Sequence, residues 1–198
     1  MNRTRGATLA IPLIALLALA GCASDPLAEQ YANGTNQNYI SGDGSLTLID
    51  VADRGKPVTF EATTGDGDTV ASSDYAGEVL VINFWYAACP PCRVEAPDLA
   101  QLATEFDGNG ASFLGVNVRD QAATARTFEQ EVGIEYPSVI DANEGNMQLA
   151  FAGTVAPNAV PTTLVIDKQG RVAARFLGLI EAPSILKTIV NETIAEDD

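Results

Sequence analysis

The chain has no histidine, and that absence closes off a good deal of chemistry. Without imidazole there is no Cys–His nucleophilic catalysis, no histidine-ligated zinc or copper, and no Cys-x-x-Cys-His haem attachment. Cysteine is scarce as well: Cys22, Cys89 and Cys92 are all there are in 198 residues. Basic residues number 11 against 26 acidic ones, a formal charge of −15. So acidic a surface suits neither nucleic acid nor direct adhesion to anionic lipid, and reads as solvated faces that keep the protein soluble. Apolar residues are not lacking. At 46% hydrophobic the chain can build one compact domain with a real core, plus appendages.

The appendages lie at the N-terminus. Arg3 and Arg5 precede an uncharged apolar stretch, Ile11–Ala20, too short to span a bilayer comfortably and read as a secretory leader. Its removal takes the charge from −15 to −17, because both leader charges are basic. Leu19-Ala20-Gly21-Cys22 resembles the lipobox of bacterial lipoproteins, which implies cleavage before Cys22 and acylation of its sulfur. Lipidation accounts for an odd cysteine in an exported protein, and two or more acyl chains anchor stably where one does not. Residues 1–21 are thus expected to be a lipoprotein signal peptide, and 22–45, rich in Asn, Gly, Ser, Asp and Gln, a flexible tether too polar to fold alone. Residues 46–198 remain for the domain.

That domain is organised around Val79–Leu99. Nine of the ten residues in Val79–Ala88 are apolar or aromatic, with β-branched Val79, Val81 and Ile82, which predicts a strand buried on both faces. Cys89-Pro90-Pro91-Cys92 follows. Proline is tolerated in a first helical turn, where a missing N–H costs nothing, so Pro91 predicts that the motif opens a helix. Cys89 then stands at a helix N-terminus, where free amides and the dipole favour a thiolate, and two cysteines three apart can close a disulfide. The pattern is that of a redox switch.

Around it the spacing predicts strands over Leu46–Val51 and Pro57–Ala62, and a turn at Asp66-Gly67 leading into Thr69–Ala71. A helix over Arg93–Phe106 is stopped by Asp107-Gly108-Asn109-Gly110, and a buried strand covers Ser112–Val118. Then come a helix over Ala122–Val132, a short strand at Ser138–Ile140 and a short helix at Asn146–Phe151. Thr162–Asp167 turns at Lys168-Gln169-Gly170 into Arg171–Phe176, an antiparallel hairpin, before a last amphipathic helix over Ala182–Ile194. The order predicts an α/β/α sandwich.

Asn83-Phe84-Trp85, Cys89-Pro90-Pro91-Cys92, Glu95, Pro97 and Val160-Pro161-Thr162-Thr163 together resemble the thioredoxin fold, and more closely its TlpA-like (ResA-like) branch of membrane-anchored thiol:disulfide oxidoreductases. The similarity covers roughly Leu46–Ile194. It implies a thioredoxin-like α/β/α sandwich with an N-terminal β-hairpin extension and a helical insertion before a cis-proline loop. By the same resemblance Cys89 is the exposed nucleophile and Cys92 the shielded resolving thiol. Pro97 matches the proline that kinks the first helix. Pro161 matches the cis-proline facing the cysteines, leaving the backbone of Val160 to pair with an extended substrate. Trp85 is expected to shield the thiols and to contribute to the substrate site.

Two departures matter. Thioredoxin has a buried Asp where this chain has Asn83, which cannot take a proton, so another acid must serve the resolving thiol. Glu95, three residues after Cys92 and one helical turn on, stands where the TlpA-like branch has a functional Glu. Ala88 stands where thioredoxins usually carry a tryptophan beside the first cysteine. The expected activity is therefore that of an extracytoplasmic thiol:disulfide oxidoreductase on the outer face of the cytoplasmic membrane, with no cofactor and no metal beyond the Cys89–Cys92 couple. By the resemblance, protein thiols and disulfides are its expected substrates, apocytochrome c being one example, with a membrane thiol-redox partner that donates or removes electrons. The resemblance favours reduction over oxidation, and the motif leans the same way, since Pro90-Pro91 offers the Cys89 thiolate neither a backbone N–H nor a histidine. The alternative is an oxidase forming disulfides in exported proteins. A peroxiredoxin would need a Pro-x-x-x-Thr-x-x-Cys arrangement, whose proline and threonine are missing from Ile82–Cys89, and a Sco-type copper protein would need histidine.

Overall fold

The computed structural model describes residues 44–154 and 159–196. The expected leader, Cys22 and nearly all of the expected tether lie outside the described residues. In chain order the elements are β1 (Leu46–Leu48), β2 (Glu61–Thr63), β3 (Thr69–Ala71), β4 (Val79–Trp85), α1 (Pro90–Phe106), β5 (Ala111–Asn117), α2 (Ala122–Val132), β6 (Ser138–Ile140), α3 (Asn146–Ala150), β7 (Thr162–Ile166), β8 (Val172–Leu177) and α4 (Pro183–Ala195). Six strands make one sheet in the order β1-β8-β7-β4-β5-β6, and β2 and β3 make a separate hairpin. β4, β5 and β6 are parallel, while β7, β8 and β1 add antiparallel to the other edge of β4.

β4 is buried along its whole length, and its side chains alternate between two cores. Leu80, Ile82 and Phe84 point to a cluster closed by Ala62 and Val70 of the hairpin and by Met147 and Phe151. Val79 and Val81 point the other way, to Leu99, Leu102 and Phe106 of α1 and Leu186, Ile189 and Val190 of α4. Ile82, Phe84, Leu114, Leu164 and Leu186 are fully shielded, each such side chain contributing roughly 1.5–3 kcal/mol. The expected sandwich, hairpin extension and helical insertion are all present.

Where the boundaries differ, backbone chemistry explains it. The strand expected over Pro57–Ala62 shrinks to β2, because Pro57 has no N–H and the Val58 amide is taken by the Gly170 carbonyl at 2.8 Å. β1 stops at Leu48 because Arg54 and Asp53 turn back onto the Asp50 carbonyl. β4 ends at Trp85, whose carbonyl accepts from Val118, and the Cys89 amide then closes a turn onto Tyr86. A short 3-10 turn, Ser72–Tyr75, joins β3 to β4 and was not legible from periodicity. Arg54 ties the ends together: its buried guanidinium meets Glu196 through two 2.6 Å bonds and Asp167 at 2.9 Å, and Asp167 also accepts Arg171 Nε at 2.8 Å.

Candidate active site

Cys89 is the N-cap of α1, with Pro90 and Pro91 opening the helix as their fixed φ favours. The first amide able to donate is that of Cys92, and it reaches Cys89 Sγ at 3.2 Å. The Cys89 carbonyl accepts the Arg93 amide at 3.1 Å. The two sulfurs are joined in a disulfide across a Cα separation of 5.2 Å. The expected exposed Cys89 needs correction: in this oxidised form both cysteines are only 2% exposed. Bonded to Cys92, the Cys89 side chain folds back over the first turn, into an apolar cluster with Trp85, Ala96, Ala125 and Phe128 and with Val160 packed against it. Its neighbours Ala88 and Pro90 stay exposed.

Trp85 is 3% exposed, its ring 5.1 Å from Phe128. It belongs to the same apolar cluster as both cysteines and presents almost no surface to solvent. The Val160–Pro161 peptide is cis; Val160 is half-buried and Pro161 buried. Pro97 lies inside α1, where it has no N–H for the Arg93 carbonyl.

Glu95 lies one turn beyond Cys92 and is 2% exposed. Both of its carboxyl oxygens are held: Oε1 accepts from Asn83 Nδ2 at 2.9 Å, and Oε2 from the Ile180 amide at 3.1 Å. Asn83 Nδ2 also donates to Thr163 Oγ1 at 2.9 Å. Burial pushes the carboxyl up to about 7, and the donors from Ile180 and Asn83 restrain that rise. A carboxyl that changes charge near neutrality thus lies one helical turn from Cys92.

Sequence reasoning missed the residues that hold the loop before Cys89. Asp120 accepts the Ala87 amide at 2.6 Å and Asn117 Nδ2 at 2.9 Å, while Asn117 Oδ1 accepts the Arg119 and Asp120 amides. The Arg119 guanidinium lies 4.2 Å from the centre of the Tyr86 ring, and that of Arg93 4.9 Å from the centre of Phe128. The available signal was an asparagine inside an apolar strand, as at Asn83: each buried amide has to find partners.

The AhpC/TSA family profile matches residues 55–175. The thiol-disulfide oxidoreductase ResA of Geobacillus kaustophilus is 34% identical over 126 residues, 64% of this chain and 70% of that protein. The thiol:disulfide interchange protein HelX of Rhodobacter capsulatus is 33% identical over 134 residues, 68% of this chain and 69% of that one. Among solved structures, a secreted thiol-disulfide isomerase from Corynebacterium glutamicum superposes with a TM-score of 0.72 at 31% identity, covering 81% of this chain and 98% of its own. Taken with a disulfide at a helix N-cap and a buried carboxyl one turn on, these likenesses place the chain in the AhpC/TSA family, as a thioredoxin-fold thiol-disulfide oxidoreductase.

Proposed function

We propose that this oxidoreductase works as a reductant of protein disulfides outside the cytoplasm, anchored through an acylated Cys22, with nothing but its two sulfurs as redox group. The observation that carries the reading is the Cys89–Cys92 disulfide at the head of α1 with the Glu95 carboxyl buried one turn behind it. In the reduced protein the Cys89 thiolate attacks a substrate disulfide. One substrate sulfur bonds to Cys89, and the other leaves as a thiolate that takes a proton from water. Cys92 then gives its proton to Glu95 and attacks Cys89 Sγ. The Cys89–Cys92 bond forms, the bond to substrate breaks, and the substrate departs as a dithiol. The domain is left oxidised, and a membrane thiol-redox partner returns two electrons. An extended substrate segment pairs with the backbone of Val160, held by cis Pro161. An apocytochrome c with a haem-binding thiol pair fits as substrate class. The high negative charge gives nucleic acid no role.

Direction rests on the head of α1. Pro90 and Pro91 supply no donor, and the Cys92 amide is what reaches Cys89 Sγ. A thiolate with so few donors is a weakly stabilised reduced form, so the disulfide should resist reduction more than that of DsbA, at about −120 mV. Equilibration with glutathione or dithiothreitol, followed by alkylation and mass spectrometry, should give a potential below roughly −200 mV. A value close to that of DsbA would make the protein an oxidase of exported proteins instead.

A further inference from the structure

We propose that Asn83, braced by Thr163, is the positioning residue for Glu95: its carboxamide sets the direction of the buried carboxyl and favours the ionised form. The inference rests on the reading of Glu95 as acceptor of the Cys92 proton. Asn83 is the polar interruption in a strand that is otherwise Val, Leu, Ile, Phe and Trp, and it is only 5% exposed. A position so placed is cheapest to fill with another aliphatic side chain, because a buried amide costs free energy unless its hydrogen bonds are made. Strand alternation puts Asn83 on the face that carries Val79 and Val81, toward α1 and Glu95. The antiparallel register of β4 with β7 sets Thr163 directly opposite Asn83.

The three groups form a short chain. Thr163 Oγ1 and Glu95 Oε1 each lie 2.9 Å from Asn83 Nδ2, so both N–H groups are used, one to brace the amide and one to hold the acid. The second carboxyl oxygen is held by the Ile180 amide at 3.1 Å. Both donors to Glu95 come from outside α1, from the central strand and from the segment between β8 and α4. Helix geometry therefore puts Glu95 one turn from Cys92, but tertiary structure decides which way its carboxyl points. A carboxylate accepts two N–H donors better than a carboxylic acid does, so Asn83 works against the burial that keeps Glu95 protonated. The other titratable groups around Glu95 are Cys92 one turn back on α1, Asp98 three residues on along α1 and lining the same narrow crevice as Ile180, Pro183 and Leu186, and Tyr136 ahead of β6. Tyr136 is held protonated by burial and by the nearby Glu95 and Glu129 carboxylates, so over the neutral range it adds no charge.

The test is a carbon-13 NMR titration of the Glu95 carboxyl in the reduced full chain, with Glu95→Gln identifying the resonance. The pH profile of mixed-disulfide resolution is followed in parallel. In Asn83→Leu the Glu95 midpoint should rise by about one pH unit, as loss of a donor to the charged form requires. In Thr163→Val, which leaves Asn83 in place but unbraced, it should rise by less. A midpoint that stays at its wild-type value in folded Asn83→Leu overturns the proposal. If that variant does not fold, an unmoved midpoint in Thr163→Val does so. The two readings fail separately. A resolution profile untouched by Glu95→Gln removes Glu95 from proton transfer, even while a midpoint shifted in Asn83→Leu upholds the positioning.

Discussion

Glu95 gives stability itself a pH dependence whose sign can be worked out. Burial raises its folded-state titration to about 7, whereas an unfolded chain gives up that proton near 4.3, roughly the value for a free glutamate. Between those two values the native state holds a proton that the unfolded state has lost. Its contribution is complete at low pH and is lost as pH rises through 7. Relative to Glu95→Gln, the wild-type protein should lose about 1.4 kcal/mol of stability per pH unit across that window. Urea unfolding of the two proteins at a series of pH values would measure it, and parallel stability curves would refute it. At this scale the sequence was informative about identity and position. Cys89, Cys92 and Glu95 could be named from spacing and resemblance alone, and Asn83 could be flagged as a departure. That Asn83 and Glu95 bond to each other could not be seen, since twelve residues and a helix start separate them and only packing joins them. Nor could the burial of Cys89, which follows from the disulfide closing back over the first turn.

At the scale of elements, the fit between β5 and β6 under Trp85 depends on one missing side chain. A Cβ at Gly115 would come within 2.2 Å of Ser138 Oγ, 3.1 Å of Ser138 Cβ and 3.0 Å of Trp85 Nε1. Ser138 can turn its hydroxyl away, but its Cβ cannot move without shifting β6. Gly115→Ala should therefore destabilise the domain by roughly 1–3 kcal/mol, the usual cost of overpacking, and adding Ser138→Gly should recover most of it. A denaturation midpoint unchanged by the single substitution would show that β6 yields freely. Helices and strands were legible almost to the residue where apolar periodicity or a stop signal was strong, as for α2, which ends on left-handed Gly133. They were misjudged where local hydrogen bonds rather than pattern decide, as over Pro57–Phe60, where Pro57 has no N–H, the Val58 amide bonds to the Gly170 carbonyl and the Phe60 amide to Ser72 Oγ.

For the whole molecule the question is where it sits and what it meets. Among the described residues no helix is long and apolar enough to cross a membrane. Acylation at Cys22 would add at least a diacylglyceryl group to a chain beginning at that residue. Intact mass of the membrane-extracted protein should show that increment, and an unmodified Cys22 would leave the domain unanchored by this route. The domain is closed end to end by the Arg54 network, which joins the segment after β1, the β7–β8 turn and the residue after α4. Burying an ionic cluster adds little net stability once desolvation is counted, though removing one partner costs several kcal/mol.

Sequence alone determined the reaction class and its principal groups. Missing histidine removed Cys–His catalysis, histidine-held metal and haem attachment, while Cys-Pro-Pro-Cys at the end of a buried strand and the resemblance carried by Asn83, Glu95 and Pro161 pointed to thiol-disulfide exchange. Those are properties of residue type and local spacing, which the chain carries before it folds. Tertiary structure decided how the site is set. It brought Asn83, Thr163 and the Ile180 amide to the Glu95 carboxyl, covered Cys89, and tied the Tyr86–Ala88 loop to Asp120. Each of these joins residues from different elements, and a contact between distant segments is specified by the packing of the whole sheet and its helices, not by any stretch of sequence read alone.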